Sequence, residues 1–431
     1  MVTLRTLAGD SRQTDGVREG PSSLSRAVAI VLVFLLPIKT ISPLGSASLN
    51  LAVLGGLFFL LLGIIRLPGE KWAKRVLILL TIALVTSPVL TVLSLEDSSR
   101  RAESINRVGV TLLLVGGIVS ILALCWCARL AGPTVMLTSF SMGLLAQALI
   151  ASPGTGLVWK GYLGWSITVL ILIALSRIRS IPIVLLGILI LAGVSFVLDS
   201  RAFGLFCVVA LLMYGWCTAV RAKAVPSSRV VSFGVVSTIA VVGLVVGPSI
   251  AADGALGERV RERTVVQLAN PGTFGLLTSA RPESSAAWNL FKANPLGYGP
   301  GVTLSSAERA STKLAMSRVD ANLNVDGGYI DRYVLNVRTR LHSVTADLWF
   351  NFGPFGFAAA VVMIAYLTRQ AFRFMYFGTG NPVSHFLIFA ALWDLVFSPI
   401  DSNLPLVVVA FLYTMMIGDK EDADVVTNSK Q

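Results

Sequence analysis

One histidine and a scatter of arginines stand where an apolar chain has little reason to keep them. In LHSVTADLWFNFGPFGFAA (341–359), His342 is the last polar step before a segment long enough to enter a membrane, and it is one of only two histidines in 431 residues. Imidazole trades protons near neutral pH, and an ionisable group at a water-to-lipid border is costly to keep without a use. The plainer alternative is an interfacial side chain with no chemistry. The preceding DRYVLNVRTRLHS (331–343) delivers Arg332, Arg338 and Arg340 beside it; in a helix, Arg338 and His342 would share a face. LDSRAFGLF (198–206) sets Arg201 next to Asp199 at the start of an apolar run. Alone, that pair reads equally as a snorkelling arginine with its counter-ion.

A third group lies in ARPESSAAWNLFKANPLGYGPG (280–301). It reads as Arg281, then a short amphipathic helix with Trp288, Leu290 and Phe291, then a Pro/Gly turn. Gly297, Gly299 and Gly301 would let backbone amides approach an anion closely.

The elements that must position these residues are membrane spans. With 55% hydrophobic and 13% charged residues, the chain is too apolar to be water-soluble at its length. Apolar runs bounded by charge predict about twelve helical spans, near 27–43, 49–65, 76–95, 108–127, 134–151, 161–176, 181–198, 202–220, 230–251, 345–367, 383–399 and 404–418. The fold class is therefore all-α and polytopic, with one long loop. The polar N-terminus does not resemble a removable signal peptide. If it is cytoplasmic, inside segments hold 18 of the 35 Lys and Arg, and the short outside segments hold 6, namely Lys39, Arg100, Arg101, Arg107, Lys160 and Arg201. The other 11 lie in the long loop, which the charge rule does not count. The expected layout is a cytoplasmic tail 1–26, spans one to nine in 27–251, an extracytoplasmic loop 252–343, spans ten to twelve in 344–418, and a cytoplasmic tail 419–431.

This layout accounts for the net charge of +12 without nucleic acid, because the excess is spread over short cytoplasmic loops and never interleaved with aromatics. Cys125, Cys127, Cys207 and Cys217 all fall in spans, and the two thiols of CWC point to different helix faces, which argues against a metal site. DANLNVDGGYID (320–331) glances toward a calcium loop, but Val325 holds the position that needs glycine. Zinc-protease, P-loop and dinucleotide fingerprints are absent.

The order SR at a late span, then R-x(6)-W and NPLGYGPG in a long loop, then H at the loop's end followed by paired glycines, resembles the O-antigen ligase and polymerase family of membrane glycosyltransferases. Arg201, Arg281, Trp288, Pro295, Gly297, Gly299, Gly301, His342, Gly353 and Gly356 match that pattern, over roughly residues 160–365. Ser343 stands where the family usually has asparagine, Asn351 where it usually has glutamate, and Asp347 where a neutral polar residue is usual. The resemblance implies a GT-C-like fold in a bacterial inner membrane with both termini cytoplasmic. It implies metal- and cofactor-independent, inverting transfer of a glycan from a polyprenyl diphosphate carrier to a hydroxyl of a glycan, lipid, protein or wall-polymer acceptor. Arg201 and Arg281 would hold the diphosphate with help from Arg338, Arg340 or Lys160; His342 would be the general base; Asp347, Asp199, Gly297 and Gly299 would be accessory. Rival readings are a secondary transporter, since about twelve spans and buried charges such as Asp394 occur there too, and a membrane scaffold.

Overall fold

The computed structural model describes residues 22–39, 51–61, 70–151, 159, 163–198, 200–222, 253–254, 261–262, 265, 281–319, 328, 330–336 and 338–428. Among them, six helices are long and apolar enough to cross a membrane: α3 (Lys71–Ser94), α4 (Ser104–Ala131), α5 (Pro133–Ala151), α8 (Arg201–Arg221), α11 (Val344–Phe377) and the Ile400–Gly418 part of α13 (Ile400–Asn428). Shorter apolar helices are α1 (Ser23–Leu35), α2 (Leu51–Leu61), α6 (Gly164–Leu175), α7 (Ile181–Val197) and α12 (Pro382–Phe397). Large apolar side chains such as Val31, Val85, Val92, Leu186 and Val197 stay exposed along these helices, as a lipid-facing surface requires. This is the build of an all-α polytopic membrane protein. The span expected at 230–251 and most of the loop before residue 281 lie outside the described residues. Several helices outrun their apolar windows; α11 continues ten residues past the expected end at 367. Hydropathy marks the stretch that suits hydrocarbon, whereas backbone hydrogen bonding continues the helix through Arg369 and Arg373.

One large core joins α1, α3 to α8 and α11 to α13. A second, smaller core belongs to the loop. There α9 (Glu283–Ala293) and α10 (Ser306–Ser317) bury Ala286, Leu290 and Met316 with Tyr298, Val302, Leu304 and Leu341, and the cluster is closed by Trp349 and Phe350 of α11. β1 (Arg101–Ala102), in the α3–α4 connection, pairs antiparallel with β2 (Val302–Thr303) of the loop. The α3–α4 connection and the described residues of 281–343 therefore occupy the same end of the bundle, called below the loop end.

The docking of loop on bundle follows from two sequence features. Pro354 has no N–H to give the Phe350 carbonyl four residues back, and Gly353 breaks the helix there with φ +66°. The NPLGYGPG turn supplies the missing donors, the Tyr298 and Gly299 N–H groups reaching the Phe350 oxygen at 2.8 and 3.0 Å. The Trp349 indole donates back to the Pro295 carbonyl at 2.9 Å. Only glycine allows this approach, since a Cβ on Gly299 (φ +93°) would meet Thr91 Oγ1 at 2.5 Å. Gly297 and Gly299, expected at an anion, thus have their positive φ and close approach directed at α3 and α11.

Candidate functional site

At the loop end, the corner between α12 and α13 is the meeting point. Ser343 is the N-cap of α11: its hydroxyl accepts from Ala346 N at 3.2 Å and donates to the Leu395 carbonyl of α12 at 3.0 Å. Arg281 lies within electrostatic reach of Asp394, whose carboxylate accepts from the Ser398 hydroxyl at 2.6 Å. Arg338 is ion-paired with Asp401, and Arg340 Nε lies 3.0 Å from the second Asp401 oxygen. Lys39 Nζ reaches the Asp401 carbonyl at 3.4 Å. The segment 338–342 is not helical: Thr339 bridges Leu335, so Arg338 and His342 do not share a helix face.

Arg201 opens α8 at the same end. The orientation is set by Phe206 against Phe386 and Trp393 of α12, and by Cys217 Sγ donating to the Phe374 carbonyl at the far end. Arg201 Nη2 is buried and has no hydrogen-bond partner among the described residues. An unpaired buried guanidinium nitrogen is costly, so an acceptor is expected beside it. Asp199 and Lys160 lie outside the described residues.

His342 is the only non-glycine residue with positive φ (+49°) among those described. Its neighbours hold it there. Arg340 N donates to the Val334 carbonyl at 2.8 Å, Leu341 N donates to Asp347 Oδ1 at 2.8 Å, and Ser343 is locked as the cap. Backbone strain of this kind costs about 1–3 kcal/mol and persists only where the surroundings over-determine it.

Asp347 has a structural part. It is 1% exposed, and its second oxygen accepts from Ile400 N, the first residue of α13, at 3.0 Å. With both oxygens accepting from backbone N–H groups, it clamps the turn before His342 to the start of α13. Asp401, on which Lys39, Arg338 and Arg340 converge, is not singled out by sequence. The available signal was a carboxylate in SPIDSNLP, between two apolar runs, at a depth where charges are rarely idle. Asp401 also borders a cavity of about 80 Å³ between α1, α4, α5 and α13, lined mostly by apolar residues with Lys39, Ser120 and Ser402.

The loop is fixed by charge as well. Arg100 meets Glu308 through Nη2 at 2.7 Å and Nε at 3.3 Å, its guanidinium lies 4.9 Å from the Tyr298 ring centroid, and the Tyr298 hydroxyl donates to Glu308 at 3.1 Å. Burial pushes the Glu308 carboxyl up, but hydrogen bonds from Arg100 and from the Ser305 N–H and hydroxyl outweigh it and hold the group below its usual 4.5. Burial, then the Glu308 charge, pushes the Tyr298 hydroxyl up, keeping it a donor. Since folding lowers the Glu308 value, its stabilisation is present above 4.5 and lost as pH falls through the lower folded value. Acid titration followed by hydrogen exchange should open residues 298–317 below about pH 4.5. Glu308→Gln should abolish that acid step; an unchanged step in the variant would assign it to another carboxylate.

No family model and no curated protein matches the chain.

Proposed function

We propose that the chain is a membrane glycosyltransferase of the O-antigen ligase or polymerase kind, with about twelve spans in a GT-C-like arrangement, both termini cytoplasmic, and the loop outside a bacterial inner membrane. The observation that carries this reading is the buried Arg201 Nη2, without a hydrogen-bond partner among the described residues, at the end of the bundle where Arg281, Arg338, Arg340 and His342 also gather. A polyprenyl diphosphate supplies the missing acceptor oxygens. The acceptor hydroxyl attacks the anomeric carbon opposite the diphosphate; the new C–O bond forms as the bond to the diphosphate oxygen breaks. His342 takes the hydroxyl proton, and the arginines stabilise charge on the departing diphosphate. Inversion follows from attack on the opposite face. The departures from the family pattern fit these roles: serine caps a helix as well as the usual asparagine does, and here Ser343 also ties α11 to α12.

A secondary transporter would carry its charges near the bilayer midplane between related halves. Here the cations cluster at one end of the bundle, beside the loop core. The direct test is reconstitution of the purified protein with a polyprenyl-diphosphate-linked glycan and a panel of glycan, lipid, protein and wall-polymer acceptors. Acceptor-dependent release of polyprenyl diphosphate, equal with and without chelator, is the expected result. Absence of release with every acceptor class, from protein that retains its fold, would overturn the reading.

A further inference from the structure

We propose that α9 lies in the membrane interface, its outer face in contact with lipid head groups and the first carbons of the acyl chains. Its inner face, Glu283, Ala286 and Leu290, is buried in the loop core. On its outer face, Trp288 is 60% exposed and Phe291 36% exposed, the two rings stacked with centroids 5.6 Å apart and 12° between planes. Just beyond the helix, Leu296 is 56% exposed. An unpartnered strip of this kind facing water is unusual, and its surroundings say what covers it.

The strip continues into the lipid-facing wall of the bundle. Phe291 packs on Trp349 of α11 with centroids 5.3 Å apart. The Leu296 carbonyl and Leu90 of α3 both close on Gly353, and next to Leu90 the α3 residues Val89, Val92 and Leu93 are exposed, as are Phe355 and Phe357 of α11. Apolar contacts through Trp349, Leu90 and Leu296 therefore tie α9 and the turn after it to the spanning helices. α10 differs in degree: its exposed residues Ser306, Ala307, Ala310 and Ser311 are small or polar, and Leu314 is the one large apolar side chain among them. Tryptophan is the residue that prefers the head-group level, and Lys292, exposed at the end of α9, has the length to extend toward phosphates. One consequence rests on the transferase reading: Arg281, two residues ahead of α9, then stands at the phosphate plane, where a lipid diphosphate meets it without leaving its leaflet.

The test is depth, not activity, so its failure and that of the transferase reading are separable. The four native cysteines are buried, so a single introduced cysteine carries an environment-sensitive fluorophore. Trp288→Cys, Phe291→Cys and Ala310→Cys are labelled in the full chain, reconstituted in phosphatidylethanolamine and phosphatidylglycerol vesicles. Labels at 288 and 291 should lose most of their emission to a lipid bearing a nitroxide near the head group and little to aqueous iodide; the label at 310 should do the reverse. Iodide quenching at 288 and 291 equal to that at 310 would overturn the proposal. So would iodide protection that appears only when a soluble oligosaccharide is added, which would make the stacked pair a sugar platform.

Discussion

Arg201→Lys should lower transfer from a polyprenyl diphosphate donor by about 10²–10³-fold, the loss typical of one well-aimed donor to a developing anion. Lysine keeps the charge but replaces a planar fork with a shorter-reaching ammonium, so a diphosphate oxygen that meets Nη2 loses its partner. The stability readout runs the other way. Because Nη2 is buried with no partner among the described residues, the ligand-free protein gains nothing from that nitrogen, and the variant should melt at the wild-type temperature or slightly above it. A structural anchor would give the opposite pair of results, lower thermal stability with transfer retained. Arg281→Lys should also impair transfer, and since both arginines would grip one diphosphate, the double variant should lose less than the two single losses combined. Full additivity would place them on separate ligands.

The parts of this architecture that sequence makes legible are those set by local chemistry. Apolar windows mark the middles of the spans, and Gly353 with Pro354 marks the break in α11. What escaped was set by partners far apart in the chain. Asp401 gathers Lys39, Arg338 and Arg340, all more than sixty residues earlier in the chain, and Asp347 bridges residues 341 and 400. Nothing in the composition of either carboxylate says which N–H groups it will meet. The NPLGYGPG turn is an instructive middle case. Its glycines do adopt positive φ, but an amide-rich turn suits any unpaired oxygen, and an anion is only one kind. Pro354, four residues past Phe350, is the local clue that a carbonyl stands waiting, and that carbonyl is where the Tyr298 and Gly299 amides go.

The largest effect should come from His342. If it is the general base, His342→Ala should reduce transfer by about 10²–10⁴-fold while donor binding persists, because the arginines hold the diphosphate. The left-handed backbone at this position makes a second variant informative. Asparagine tolerates φ near +49° far better than most residues, so His342→Asn should keep the turn between Leu341 and Ser343, and its melting temperature should stay near that of the wild type. Its amide still hydrogen-bonds an acceptor hydroxyl but cannot take the proton. Activity in His342→Asn that is as low as in His342→Ala, in a protein of native stability, assigns the histidine to proton transfer. Partial recovery in the asparagine variant would make it a positioning residue that aims the acceptor. Full activity in both would remove His342 from the chemistry altogether.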